Sequence, residues 1–120
     1  MTITYKDKFK IVQYIQQFKD KEQEGKVNKM LDEAILGTIY KYGTRGFIVK
    51  LIQKCLNVFL KDYNAREDIP IGFPYLIEDG LFGGMTKRAV EHFQEDKDLV
   101  VDGIVGRNTL KSLINNFLLG

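Results

Sequence analysis

Apolar residues recur along much of this chain at intervals of three and four, the spacing at which a helix gathers side chains on one face. Phe9, Ile11, Val12, Ile15 and Phe18 set such a face and predict a first helix over about residues 5–21. The polar run from Asp20 to Gly25 ends it, glycine being common punctuation between helices. Val27, Met30, Leu31, Ala34 and Ile35 repeat the pattern and predict a second helix to about Leu36, stopped at Gly37. Two glycines within Tyr42-Gly43-Thr44-Arg45-Gly46 mark a turn. Beyond it Val49, Ile52, Leu56, Phe59 and Leu60 form the buried stripe of a third helix, flanked by Ile48 and Cys55.

Residues 61–78 lose this rhythm and contain both prolines, Pro70 and Pro74. So long a span without a pattern, in so small a chain, is the expected specificity loop. Two more helices follow, one carrying Met85, Ala89, Val90 and Phe93, the other Leu110, Leu113, Ile114, Phe117 and Leu118. Short extended pieces at Tyr75–Ile77 and Leu99–Val101 are expected to pair with each other as an accessory that could not found a sheet. The pattern therefore predicts an all-α small helical bundle.

One element occurs twice. Asp79-Gly80-Leu81-Phe82-Gly83-Gly84-Met85-Thr86 and, 23 positions later, Asp102-Gly103-Ile104-Val105-Gly106-Arg107-Asn108-Thr109 share Asp, Gly, two apolar residues, Gly and Thr in register. Asp-Gly makes a tight turn in which the carboxylate accepts nearby backbone N–H groups. The apolar pair dips into the core ahead of a helix, and Gly83 or Gly106 falls near the N-cap. Thr86 and Thr109 are placed for their hydroxyls to reach free N-terminal backbone groups or the turn carboxylate. Asp79 and Asp102 are accordingly read as structural. A calcium loop needs oxygen ligands at alternate positions, which these loops lack, and paired-carboxylate glycosidase chemistry would remove both from the turns they build.

These residues resemble a known family, the three-helix peptidoglycan-binding domain attached to many bacterial and phage cell-wall hydrolases. Its opening pattern is met by Gly46, Val49, Ile52, Gln53 and Leu56, its middle by Asp79, Gly80, Phe82, Gly83, Thr86, Ala89, Val90, Phe93 and Gln94. Its close is met by Leu99, Val101, Asp102, Gly103, Ile104, Val105, Gly106 and Thr109. The likeness covers about 75 residues from Gly43 onward. The chain departs from the family in having Gly84 and Arg107 where proline is common, Leu110 where tryptophan is common, and a longer link from Lys61 to Glu78. The resemblance implies two parts, a helical extension at 1–42 and a peptidoglycan-binding domain at 43–120. It also implies a non-catalytic module that holds an associated machine or hydrolase at the wall by contact with the glycan strand or stem peptide.

Composition narrows the rest. At 120 residues and 44% hydrophobic the chain can bury one core. A net charge of +2, with signs interspersed, excludes the dense basic stripe of a nucleic-acid binder. The mild basic excess up to residue 45, nine Lys/Arg against six Asp/Glu, is read as a solvated helix face. Cys55 has no partner for an internal disulfide, and no Cys/His spacing fits zinc, so neither metal nor cofactor is expected. The N-terminus builds no apolar signal run and no later stretch is long enough to span a membrane. Synthesis in the cytoplasm is expected, with action at the wall or in a phage or secretion particle.

Candidate ligand contacts follow from residue chemistry. Tyr63, Phe73 and Tyr75 offer faces that stack on sugar rings, or else Phe73 and Tyr75 pin the loop to the core. Lys87, Arg88 and Arg107 sit near the two helix starts, where they could meet carboxylates. His92 lacks any nucleophile or second histidine in a recognisable arrangement and is read as structural. No catalytic constellation is visible. The rival reading is a protein-interaction or assembly module of a phage particle or secretion apparatus, self-associating through the N-terminal helices.

Overall fold

The computed structural model describes residue 32, residues 37–69 and residues 71–119. The helices expected over about 5–21 and up to about Leu36 lie outside the described residues, save Asp32, which is helical. Three helices organise the remainder: α1, Phe47–Asn64; α2, Gly84–Asp96; and α3, Arg107–Leu119. No helix among the described residues is long and apolar enough to cross a membrane.

α1 is the central element, packing against both α2 and α3. It does so through the stripe that its sequence displays: Val49, Ile52, Leu56, Phe59 and Leu60 are all buried. Ala89, Val90 and Phe93 meet it from α2, and Leu110, Leu113 and Ile114 from α3. At the middle, the rings of Phe59 and Phe93 pack edge to face with centroids 5.0 Å apart. Burial of each such side chain contributes about 1.5–3 kcal/mol, so this layer alone outweighs the surface ion pairs. Cys55 is buried beside the stripe, and that burial pushes its thiol up to about 12.

The helix runs past its last strongly apolar residue. Lys61, Asp62, Tyr63 and Asn64 continue α1, so Tyr63 stands on a helix and not in the loop expected to begin at residue 61. The extra turn adds a single half-buried ring, too little to register as a stripe. Tyr63 rests on Phe59 one turn back, at 5.3 Å. Ala65 and Arg66 close the end by donating their N–H groups to the carbonyls of Asp62 and Tyr63 respectively.

An extended strip, residues 40–46, fastens the bundle ahead of α1. Tyr40 exchanges two backbone bonds with Val105, at 3.0 and 2.7 Å. Gly43 N–H donates to the Phe82 carbonyl at 2.9 Å, Phe82 N–H to that of Thr44 at 3.0 Å, and Gly46 N–H to that of Gly80 at 2.9 Å. Tyr40 itself is buried in the core. The expected pairing of Tyr75–Ile77 with Leu99–Val101 does not form. Among the described residues the β-bridges are Tyr40 with Val105 and Arg45 with Leu81. The reason is competition for backbone groups: Asn57 takes both polar groups of Leu76, and the Leu99 N–H bonds to the carbonyl of Gln94.

Candidate functional site

Two buried glutamines hold the two turns that shape this surface. Oε1 of Gln53 accepts the Gly80 N–H at 2.9 Å. Its Nε2 shares two protons among Asp79 Oδ1 (3.1 Å), the Leu81 carbonyl (3.0 Å) and Thr86 Oγ1 (3.1 Å). Gln94 repeats the arrangement one unit later. Its Oε1 accepts from the N–H groups of Asp102 and Gly103, and its Nε2 donates to Asp102 Oδ1, the Ile104 carbonyl and Thr109 Oγ1. Both glutamines are at least 99% buried, so every partner they supply is one that water cannot supply.

This corrects the expected role of the threonines. The N-cap of α2 is Gly83, which has no side chain to cap with, and the Thr86 hydroxyl accepts from the Gln53 amide. Each turn carboxylate does accept from the backbone two residues on, Asp79 from Leu81 at 2.9 Å and Asp102 from Ile104 at 3.0 Å. The Leu81 N–H, and then the Gln53 amide, hold the Asp79 carboxyl below its ordinary value. Gly80 and Gly103 lie at φ 77 and 71, a region costly to side chains. The glutamines carried a sequence signal that the Asp-Gly match alone does not show: Val49, Ile52 and Gln53 recur as Val90, Phe93 and Gln94. The repeat is thus helix plus turn. The Gln-to-Asp spacing, 26 residues in one copy and 8 in the other, locates an insertion of eighteen residues.

That insertion is strapped along α1 by two asparagines. Asn64 accepts from the Phe73 N–H and donates to its carbonyl, both at 2.7 Å. Asn57, two turns earlier, does the same for Leu76 at 2.7 and 2.9 Å and also reaches Glu78. Phe73 and Leu76 are thereby turned into the core, while Ile71, Tyr75 and Ile77 face solvent. Arg66 pairs with Asp96 through both guanidinium nitrogens and so ties the start of the loop to the end of α2. That contact holds the Asp96 carboxyl below its ordinary value.

The expected contact residues separate into different settings. Phe73 is buried, with His92 at 5.1 Å and the Arg88 guanidinium at 5.7 Å, so it pins the loop to the core. Tyr63 is half-buried against Phe59 and His92. Tyr75 is 59% exposed. Lys87 and Arg88 meet in an open groove of roughly 720 Å³ with Tyr42, Gly84, Met85 and Glu91. Arg107 lines a second groove, roughly 740 Å³, with Ile39, Val100, Ile104 and Asn108. Tyr42 and Ile39 were missed by the pattern because they sit in a short extended strip with no period long enough to read. Among the described residues, no group of three or more His, Cys, Asp or Glu could hold a metal ion.

The arrangement sets apolar and aromatic faces beside cations. The family model of the peptidoglycan binding domain matches residues 46–113. Two solved structures are similar. One is a fused Zn-dependent amidase/peptidase/peptidoglycan-binding domain-containing protein from Clostridium acetobutylicum ATCC 824, 31% identical with a TM-score of 0.52 over 64% of this chain and 29% of that one. The other is the SleB N-terminal domain, 30% identical with a TM-score of 0.52 over 67% of this chain and 93% of that one. This chain thus spans less than a third of the length of the amidase fusion. A comparison with curated proteins finds no match.

Proposed function

Since the chain belongs to the peptidoglycan binding domain family, we propose that it binds bacterial cell-wall peptidoglycan without cleaving it and holds an attached or associated partner at the wall. The match over residues 46–113 carries this reading, because it spans both glutamine-held turns and all of α2. The groove at Tyr42, Met85, Lys87 and Arg88 supports it chemically. An exposed phenol ring stacks on a sugar face, and the two cations suit the carboxylates of muramyl and stem-peptide groups. Tyr75 on the strapped loop and Arg107 in the second groove are further contacts in the same reading. Tethering then raises the local concentration of the partner near its wall target.

The test is co-sedimentation with purified insoluble peptidoglycan. The wild-type chain is expected in the pellet, and a Tyr42→Ala/Arg88→Glu variant, with unchanged circular dichroism, is expected to lose at least about tenfold in affinity. A wild-type chain that stays in the supernatant defeats the proposal. Release of soluble muropeptides would defeat its non-catalytic part.

A further inference from the structure

The groove at Lys87 and Arg88 carries a third charge that ring stacking and carboxylate capture leave unused. Glu91 lines it with the two cations, all three on α2. Glu91 stands four positions past Lys87 and three past Arg88, so it falls between them around the helix axis and one turn, about 5.4 Å, further along. Opposite charges at these intervals readily pair across a helix surface. Here, among the described residues, no ion pair joins Glu91 to either cation. Arg88 lies over the ring of Phe73, 5.7 Å from its centroid. The stems of Lys87 and Glu91 lie side by side on the second turn, where a Cβ at Gly103 would stand 2.9 Å from Cγ of Lys87 and 3.5 Å from Cγ of Glu91. Two cations and a half-buried carboxylate thus share one open groove with their charged ends unspent.

Resting on the peptidoglycan reading above, we infer that this groove selects between stem-peptide types. It favours a third residue that ends in a free amino-acid head, an ammonium and a carboxylate on one carbon, over one that ends in a lone ammonium. The carboxylate bridges Lys87 and Arg88, and the ammonium beside it meets Glu91. Met85, 44% exposed, walls the groove for the methylenes that lead to this head. Charge sets the preference. A lone ammonium gains Glu91 but meets two like charges, whereas the amino-acid head finds a partner for each of its groups. The fork of Arg88 suits the carboxylate in particular, since it offers two parallel donors. Glu91 is the residue that makes the groove selective, because two cations alone would accept any carboxylate. The groove is open, so water and salt weaken each pair and the selection is moderate in size.

Titration calorimetry of the full chain with three synthetic stem tetrapeptides tests this. They differ only at the third residue, which is diaminopimelate, diaminopimelate with its side-chain carboxylate amidated, or lysine. The diaminopimelate peptide is expected to bind about tenfold more tightly than either of the others. Glu91→Gln, which keeps the shape and removes the charge, should weaken that peptide about fivefold. The same variant should leave unchanged the binding of a diaminopimelate peptide whose side-chain amine is acetylated, because the contact it removes is already gone. Equal affinity for the three peptides, or none for any, overturns the inference. An equal loss from Glu91→Gln with the free and the acetylated amine also overturns it, since Glu91 would then act on the fold or the general field. If insoluble peptidoglycan still pellets the chain in those cases, the selectivity fails alone. A chain that binds neither the peptides nor the insoluble wall removes the underlying peptidoglycan reading too.

Discussion

Gln53 and Gln94 each gather a turn, a carbonyl and a threonine hydroxyl into one buried cluster. Replacing either by methionine keeps the volume but leaves several buried polar groups without partners, each costing about 1–3 kcal/mol. We expect Gln53→Met and Gln94→Met each to destabilise by about 3 kcal/mol, read as a fall in melting temperature of roughly 15 °C. Loss of less than about 1 kcal/mol would show that water replaces the amide. Acid acts on the Gln53 cluster through Asp79 and on the Arg66 pair through Asp96. The folded carboxyls of Asp79 and Asp96 lie below their unfolded values, so the folded state holds fewer protons. Their contribution is complete above the unfolded value near pH 4 and is lost as pH falls through the folded ones. Asp79→Asn should therefore flatten the acid limb of a stability profile while leaving its slope near pH 7 unchanged. Cys55, buried and protonated, should react with a disulfide reagent only at the rate of opening. The sequence displayed both glutamines, but nothing in their type says which are buried. Only the position after Ile52 and after Phe93, on the inner face of a helix, carried that information.

Between residue and fold, the two turns differ in what lies against them. A Cβ at Gly80 would stand 2.8 Å from the Gly46 carbonyl oxygen, which is backbone and cannot move. A Cβ at Gly103 would stand 2.9 Å from Cγ of Lys87, a flexible chain that can swing away. Both alanine variants suffer the strained φ, so Gly80→Ala should cost the more, by about 1–2 kcal/mol in denaturant unfolding. Equal costs would mean that the strip at Gly46 yields easily. The loop gives a second case. Asn64→Ala frees both backbone groups of Phe73 and should speed proteolysis between residues 65 and 78 with little change in helix content. The helices were legible because apolar residues at intervals of three and four allow few other structures. The strap was not, because its order comes from two asparagines on another element and its own sequence has no period. Tyr63 was misplaced for the same kind of reason, its turn of helix being held by the ring of Phe59 and a backbone cap.

At the scale of the molecule, α2 belongs to both halves, opening at the first turn and carrying the glutamine that holds the second. The halves are therefore expected to unfold together, and one transition should be seen by both tyrosine fluorescence and far-ultraviolet circular dichroism. Two separated transitions would contradict this. The fold class and the paired turns could be read from sequence because they repeat, whereas the grooves could not, since each joins a helix start to a strip far away along the chain. That strip also has a mechanical side. A protein held at a wall is pulled, and tension entering at Gly37 reaches the Tyr40–Val105 bonds first, then those to Phe82, and last the one to Gly80. The seam would open like a zip from its outer end while the packed helices stay closed. In an optical trap this would appear as a small early yield, a built-in slack that absorbs a tug before the anchor itself comes apart.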